Sequence, residues 1–139
     1  MKRLILIVSF VLLIMGCSAQ KGEKGHVDFT VVKQETYGGL ETETGILVNS
    51  VEELKVLYRE LNLEDVPKVD FEKHSVVAVF LGQKRTGGYS IAVTEVNIKN
   101  DVATVITSKT SPSGGIATMA LSSPYCIIEI PKATSLVVK

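Results

Sequence analysis

The order of apolar and polar positions along the chain predicts a protein built mostly from β-strands. An unbroken apolar run of six residues, 76–81, is rich in valine. A strand that is apolar on both faces has to be covered on both faces, so this run is predicted to be a central strand. Shorter or alternating apolar segments predict further strands. They lie at residues 27–31, 46–48, 89–99, 102–107, 124–130 and 136–138.

Two local irregularities are predicted in this series of strands. In segment 89–99 the apolar positions alternate as far as Val93 and resume one position out of phase at Val96. A β-bulge near Glu95 produces such a shift, because one extra residue then faces the neighbouring strand. Asn100-Asp101 follows directly, and both residue types tolerate the positive φ of a tight turn. We therefore expect a hairpin at this point.

One helix is predicted, over residues 51–61. Ser50 and Glu53 have the spacing of a capping box, in which the two side chains accept hydrogen bonds from backbone N–H groups at the helix start. Apolar side chains recur at helical spacing, at Leu54, Leu57, Tyr58 and Leu61. Tight turns between consecutive strands favour antiparallel pairing, so the predicted fold class is α+β: mostly antiparallel sheet with one packed helix.

The first sixteen residues are predicted to be a signal peptide. A basic start precedes an apolar run at residues 4–15, which is shorter than the roughly 20 residues that a membrane-spanning helix needs. Residues 13–17, Leu-Ile-Met-Gly-Cys, resemble a bacterial lipobox, in which the cysteine carries a diacylglyceryl group. The resemblance implies lipidation at Cys17. The alternative is an ordinary signal peptide with an incidental cysteine.

A lipid-anchored domain follows from this interpretation. Residues 17–25 are small and polar, which is typical of a flexible tether, and residues 26–139 have a length that suits one domain. Attached acyl chains bind a membrane, so the expected location is the cell envelope. Ser18, rather than aspartate, follows the cysteine. By resemblance to other lipoproteins, this permits transfer to the outer membrane where one exists.

Charge and composition exclude several kinds of partner. The chain has fifteen basic and fifteen acidic residues, and loss of residues 1–16 leaves thirteen basic ones. A nucleic-acid-binding surface needs an excess of basic residues, so no nucleic-acid partner is expected. Two histidines and two distant cysteines show no metal-ligand spacing, and the glycine motifs of nucleotide sites are absent. We therefore expect neither a metal nor a cofactor.

No residue pattern indicates catalysis. Asp70, His74 and Ser75 have the side chains of a catalytic triad, but they fall within six residues and no nucleophile turn surrounds the serine. Cys126 alternates with apolar residues in a predicted strand, which is typical of a buried small hydrophobic side chain. The sequence therefore predicts a protein that is not an enzyme.

The candidate binding residues lie in a loop directly after the central strand. A glycine pair there predicts a two-residue hairpin turn, and arginine and tyrosine are typical of interface hot spots. The loop consists of Lys84, Arg85, Thr86, Gly87, Gly88 and Tyr89. The alternative interpretation is a plain hairpin with solvated cations.

Two other glycine-paired loops are secondary candidates. One contains Tyr37, Gly38 and Gly39. The other contains Gly114 and Gly115, within an irregular segment predicted at residues 108–121. Irregular segments of more than about 12 residues tend to be functional. If the three loops gather at one end of the sheet, together they can bind a ligand or enter a protease cleft.

The same part of the chain resembles the C-terminal domain family of the protease complex subunit PrcB. The resemblance spans most of residues 45–132, and its clearest motif is Thr-Gly-Gly-Tyr after an apolar strand. The matching pieces are residues 69–71, 76–82, 85–91, 123–125 and 130–132. The residues at 84–85 and at 112–114 depart from the family pattern.

The resemblance implies a lipoprotein without catalytic activity that associates with a surface serine protease and supports its assembly or stability. A protease inhibitor or a ligand-binding module that uses the glycine-rich loops is the alternative.

Overall fold

The computed structural model describes residues 25–114 and 119–139. Within them lie eight strands and one helix. In chain order they are β1 (His26–Val27), β2 (Thr30–Glu35), β3 (Thr44–Val48), α1 (Val51–Glu60), β4 (His74–Phe80), β5 (Ser90–Lys99), β6 (Val102–Thr110), β7 (Tyr125–Pro131) and β8 (Ser135–Val138). The fold is mostly antiparallel β-sheet with a single short helix, as the sequence predicted.

The eight strands form two sheets. The outer sheet has the strand order β1-β5-β6-β8, and the central sheet has the order β2-β7-β4-β3. Neighbouring strands are antiparallel, except that β8 runs parallel to β6. The two sheets pack on each other, and α1 packs on the other face of the central sheet. The molecule therefore has three layers.

Strand β4 lies inside the central sheet, as predicted from its unbroken apolar run. Val77 and Val79 point into the core between the two sheets. Val76, Ala78 and Phe80 point into the second core, beneath α1. Side chains alternate between the faces of a strand, so a strand between two cores has to be apolar at every position.

The helix begins and ends close to its predicted bounds. The Ser50 hydroxyl accepts a hydrogen bond from the N–H of Glu53, with a distance of 3.2 Å. The Glu53 carboxylate accepts a hydrogen bond from the N–H of Asn49, with a distance of 2.8 Å, and not from the N–H of the N-cap residue Ser50. The second bond of the capping box is therefore made one residue before the N-cap. Leu61 is the C-cap, and the helix therefore ends one residue earlier than predicted.

The predicted irregularities of the β5–β6 hairpin are confirmed. The register between the two strands shifts between Val93 and Glu95, which places the bulge where the apolar phase changes. Asn100 and Asp101 have φ values of 51° and 62°. Side chains on both sides of the bulge, Ile91 and Ile98 among them, consequently lie in the core between the sheets.

Two predicted strand boundaries are wrong. Residues 27–31 do not form one strand: β1 pairs with β5 in the outer sheet and β2 pairs with β7 in the central sheet. The chain passes from one sheet to the other between them. Val27 and Phe29 pack against the core between the sheets, whereas Val31 is 48% exposed and Val32 packs against the core beneath α1. Ser108, Lys109 and Thr110 were predicted to be irregular but extend β6, because they pair with the first residues of β5.

The predicted signal peptide, Cys17 and all of the predicted tether except Gly25 lie outside the described residues, and they stay predictions. No helix in the described part of the chain is long and apolar enough to cross a membrane.

Ser75 links three segments of the chain through a buried hydrogen-bond network. Its hydroxyl donates to the Asn49 side-chain oxygen and accepts from the N–H of Ala133, with an N–O distance of 3.1 Å. The Asn49 amide in turn donates to the carbonyl of Ala133, with a distance of 3.0 Å. Ser75 and Ala133 are fully buried. The network therefore ties the start of α1 and the β7–β8 connection to β4.

We expect Ser75→Ala to lower the free energy of unfolding by about 2 kcal/mol, because the N–H of Ala133 loses its partner in a place that water does not reach. Chemical denaturation measures the change. Thr94→Ala is the matched control: it removes a hydroxyl that donates to Ile106 at an exposed position, and should cost within about 0.5 kcal/mol. Equal losses in the two variants would contradict a structural role for the network.

Candidate functional site

Three loops meet at one end of the molecule, and we call this end the loop end. They are the β2–β3 loop (residues 36–43), the β4–β5 loop (residues 81–89) and the β6–β7 loop (residues 111–124). Glu35 at the end of β2 and Phe80 at the end of β4 both pair with Tyr125 at the start of β7. Thr110 at the end of β6 pairs with the start of β5. This register brings the three loops together.

The last residues of the β6–β7 loop lie between the other two loops. On one side, the N–H of Ser123 donates to the carbonyl of Thr36 at 3.0 Å, and the carbonyl of Ser123 accepts a hydrogen bond from the N–H of Gly39 at 2.9 Å. On the other side, Ser122 and Lys84 exchange two backbone hydrogen bonds, of 2.7 and 3.0 Å. The loop end is therefore held together by backbone hydrogen bonds, which favours a rigid surface.

The β4–β5 loop contains all six primary candidates, but it is not the predicted hairpin. Strand β4 belongs to the central sheet and β5 to the outer sheet, so the loop is a crossover between sheets. Only one residue of the glycine pair has the positive φ predicted for both: Gly88 has a φ of 87°. The hydrogen bonds of Lys84 with Ser122 extend the central sheet past the end of β4, which prevents an immediate reversal onto β5.

Neighbouring side chains fix the shape of this crossover. The carbonyl of Thr86 accepts a hydrogen bond from the Ser122 hydroxyl, with a distance of 2.6 Å. A Cβ atom on Gly88 would lie 2.8 Å from Cβ of Pro112, so the β6–β7 loop packs closely against it. The Lys84 ammonium lies 5.7 Å from the centroid of the Tyr89 ring, a cation–π distance.

Arg85 is the exposed cation of the loop end. Among residues 25–114 and 119–139 it forms no ion pair with a carboxylate. Its guanidinium therefore keeps five hydrogen-bond donors for a partner, whereas the ammonium of Lys84 lies over a ring of its own loop.

Large side chains are also exposed on the other two loops of the loop end. Tyr37 is 53% exposed, Leu121 is 58% exposed and Met119 is 89% exposed. Tyrosine, methionine and arginine are enriched at protein interfaces. Sequence reasoning found Tyr37 and Arg85 but missed Met119 and Leu121. The available signal was an apolar Met-Ala-Leu triplet inside an irregular segment, which has no strand or helix period that would bury it.

An ion pair connects the β2–β3 loop to the end of β6. The Lys109 ammonium contacts the Glu43 carboxylate, and both side chains are about half exposed. The hydrogen bond and the positive charge of Lys109 lower the pKa of Glu43, and the charge of Lys84 adds to the effect. Glu43 is therefore ionised at neutral pH, and this contact weakens only in acid.

The secondary glycine candidates differ in their surroundings. Gly39 lies against the β6–β7 loop, where a Cβ atom would meet the carbonyl oxygen of Ser123 at 2.4 Å. Gly38 and Gly114 have positive φ values of 90° and 38° and face open space. Gly115 lies outside the described residues. The three glycine-paired loops nevertheless meet at one end of the molecule, which is the condition for their acting together.

The residues of the rejected triad are engaged in separate contacts. Ser75 is bonded to Asn49 and Ala133, as described above. The His74 ring lies 3.4 Å from the carboxylate of Glu129, and the Asp70 carboxylate accepts the N–H of Glu72. The N–H of His74 donates to the backbone carbonyl of Asp70, but in the described part of the chain no side-chain hydrogen bond or ion pair joins two members of the triad.

Cys126 is fully buried in the core between the sheets, as predicted. Burial raises the pKa of its thiol, which disfavours the thiolate. In the part of the chain that the structure describes, no three histidine, cysteine or acidic side chains are placed to hold a metal ion.

Comparison with known families identifies the segment that carries the crossover. The family model described as PrcB C-terminal matches residues 75–131, which run from β4 to the end of β7 and include the β4–β5 and β6–β7 loops. No curated protein and no solved structure matches the chain. The family resemblance predicted from the Thr-Gly-Gly-Tyr motif is thus confirmed by a match to the PrcB C-terminal family model over residues 75–131.

Proposed function

We propose that this protein is a lipid-anchored accessory subunit of a cell-surface serine protease, without catalytic activity of its own, and that it binds the protease through the loop end. The observation that carries the proposal is the exposure of Arg85, Tyr37, Met119 and Leu121 on three loops that backbone hydrogen bonds join at one end of the molecule. The match to the PrcB C-terminal family supports association with a protease complex.

The composition of the loop end suits a protein partner. A few aromatic, arginine and large apolar side chains carry most of the binding free energy at protein interfaces. Rigid loops lose less conformational entropy when they bind, so a surface that is already held in place favours affinity. The loop end combines both properties.

The point at which the chain enters the domain supports anchoring by the N-terminus. The carbonyl of Gly25 accepts a hydrogen bond from the N–H of Ile98, near the end of β5 that lies away from the loop end. A strand rises about 3.3 Å per residue, so Ser90 at the loop end and Ile98 are roughly 26 Å apart. A lipid on Cys17, joined through the tether, then leaves the loop end free to face a partner away from the membrane.

The proposal is tested by recovering the lipidated protein from its native membranes and identifying co-purified proteins by mass spectrometry. We expect wild type to recover a serine protease. Arg85→Ala should reduce that recovery by at least tenfold, because truncation of an interface hot spot costs about 2 kcal/mol or more. Arg59→Ala, at an exposed position on α1, is the matched control and should recover the protease as wild type does.

Absence of any protease from the wild-type sample would overturn the proposal. Equal recovery with Arg85→Ala and Arg59→Ala would place the contact outside the loop end and leave the accessory role standing.

The convergence of the three loops favours one second candidate, a protease inhibitor that inserts the loop end into an active-site cleft. The two functions have opposite effects on the activity of the protease. An accessory subunit maintains or raises the activity of the co-purified protease, whereas an inhibitor lowers it in a concentration-dependent way. Titration of the purified protease with the full chain separates them.

A further inference from the structure

We propose that a groove between β3 and α1 binds an extended segment of a partner protein, and that this segment carries two basic side chains four residues apart with an apolar side chain midway between them. The groove lies at the edge of the central sheet and shares no residue with the loop end. The inference therefore rests on its own observations and not on the proposed function.

The groove has an apolar floor and an acidic rim. Its volume is about 390 Å³, within the range of roughly 300–1,000 Å³ that is usual for ligand sites. The floor consists of Ile46, Leu47, Val48, Val56 and Leu57, and the rim consists of Glu52, Glu53 and Glu60. Val56 is 48% exposed, so apolar surface is available at the centre of the groove.

Strand β3 is an edge strand that lacks the usual protection against pairing with another chain. It pairs with β4 over all five residues without a bulge, and its sequence Thr-Gly-Ile-Leu-Val contains neither charge nor proline. The opposite edge of the same sheet, β2, carries Lys33, Glu35 and a bulge between Val31 and Lys33. Such features block strand addition, and their absence from β3 favours it.

Strand β8 packs on the face of β3 that is turned toward the outer sheet, and it does not pair with the edge of β3. A Cβ atom on Gly45 would lie 2.5 Å from Val138, and Leu47, on the same face as Gly45, packs in the core between the sheets. Residues 46–48 line the groove on the side of α1. An added segment therefore has about three residues of β3 to lie against.

The charge on the rim specifies a basic partner. Glu53 caps the helix through the N–H of Asn49, which leaves Glu52 and Glu60 as the available carboxylates. Both are exposed, neither forms an ion pair within the described ranges, and no basic side chain lines the groove. An uncompensated acidic rim around an apolar floor attracts lysine or arginine beside an apolar residue.

The spacing of the rim matches an extended chain. Glu52, Val56 and Glu60 follow each other every four residues on α1, which places the two glutamates about 12 Å apart at a rise of 1.5 Å per residue. A strand covers about 13 Å in four residues, and its side chains at i, i+2 and i+4 share one face. A basic-x-apolar-x-basic segment therefore places its central side chain at Val56 and its charges at the two glutamates.

The test uses fluorescein-labelled nonapeptides and the full-length chain in detergent, with binding followed by fluorescence anisotropy. One peptide has the core Lys-Thr-Leu-Thr-Lys, and the other has Glu-Thr-Leu-Thr-Glu. We expect wild type to bind the lysine peptide in preference to the glutamate peptide. The double variant Glu52→Lys with Glu60→Lys should lose about tenfold in affinity for the lysine peptide and gain affinity for the glutamate peptide.

The matched control is Glu64→Lys with Glu72→Lys, which makes the same change of charge at exposed positions outside the groove and should bind as wild type does. Val56→Ser keeps every charge and should weaken the lysine peptide severalfold. Thermal unfolding confirms that each variant is folded. Arg85→Ala should leave peptide binding unchanged, so failure of this inference is distinguishable from failure of the loop-end interface.

Equal affinity of wild type for the two peptides would overturn the inference. So would equal losses in the groove variant and the control. A wild-type dimer in sedimentation equilibrium that the groove variant loses would also overturn it, because the occupant would then be a second copy of this chain.

Discussion

Phe80→Ala should lower the free energy of unfolding by about 3–5 kcal/mol, the range for removal of a buried aromatic side chain. Phe80 is 1% exposed and belongs to the core beneath α1. Its ring stacks on that of Tyr125 with the centroids 5.9 Å apart. The substitution removes this contact and leaves a cavity between the central sheet and the helix, which the surrounding strands cannot fill by moving.

Urea denaturation followed by circular dichroism measures this loss. Val137→Ala is the control: its side chain is 42% exposed in the edge strand β8, and its truncation should cost within about 0.5 kcal/mol. A change of less than 1 kcal/mol for Phe80→Ala would mean that the core beneath α1 contributes little to stability.

Gly39→Ala should cost about 3 kcal/mol, because the added methyl group requires the β2–β3 loop to move away from the β6–β7 loop. A Cβ atom there would lie 2.4 Å from the carbonyl oxygen of Ser123 and 3.1 Å from the Tyr125 ring. The same carbonyl accepts the N–H of Gly39 at 2.9 Å, and the neighbouring N–H of Ser123 donates to Thr36. Both hydrogen bonds have to lengthen to admit the methyl group.

The same variant should weaken recovery of the protease, because Tyr37 and Leu121 are carried by the two loops that separate. Chemical denaturation gives the stability and the native-membrane experiment gives the recovery. Gly25→Ala is the control, since its Cβ atom would meet nothing within 4 Å. Wild-type recovery by a Gly39→Ala protein of reduced stability would indicate that binding does not depend on the arrangement of these two loops.

The two proposed binding surfaces would give different tasks to different parts of the domain. The loop end presents large exposed side chains on loops that are joined by backbone hydrogen bonds, which suits a folded partner surface. The β3–α1 groove presents an unprotected strand edge and an acidic rim, which suits an unfolded segment. If both proposals hold, the protein can bind a folded protease and an extended segment at once, and we expect Arg85→Ala and the groove variant to affect the two separately.

Several features of the fold were predictable from the sequence because they depend on neighbours along the chain. The cap at Ser50 and the turn at Asn100 and Asp101 follow from interactions within four residues. The bulge near Glu95 follows from the phase of the apolar positions in one strand. The unbroken run in β4 predicted two covered faces, and the structure contains a core on each.

Other features were decided only by the tertiary structure. Strand β2 pairs with β7, whose first residue, Tyr125, lies opposite Glu35 although the two are far apart in the sequence. The local pattern of a strand states which face is apolar but not which strand will cover it or lie beside it. For that reason the glycine pair after β4 predicts a hairpin between β4 and β5, whereas in the structure the two strands belong to different sheets.

The sequence by itself therefore determined the helix, most of the strands, the resemblance to the PrcB C-terminal family and the suspected loop around Arg85. Tertiary structure decided that three loops meet, that Met119 and Leu121 are exposed at the same end of the molecule as Arg85, and that Glu52, Val56 and Glu60 line a groove beside β3. The physical reason is the separation along the chain of the residues that interact. Turns, caps and apolar phase are set by contacts over a few residues, whereas binding surfaces are assembled by strand pairing between distant segments, which the local pattern permits but does not specify.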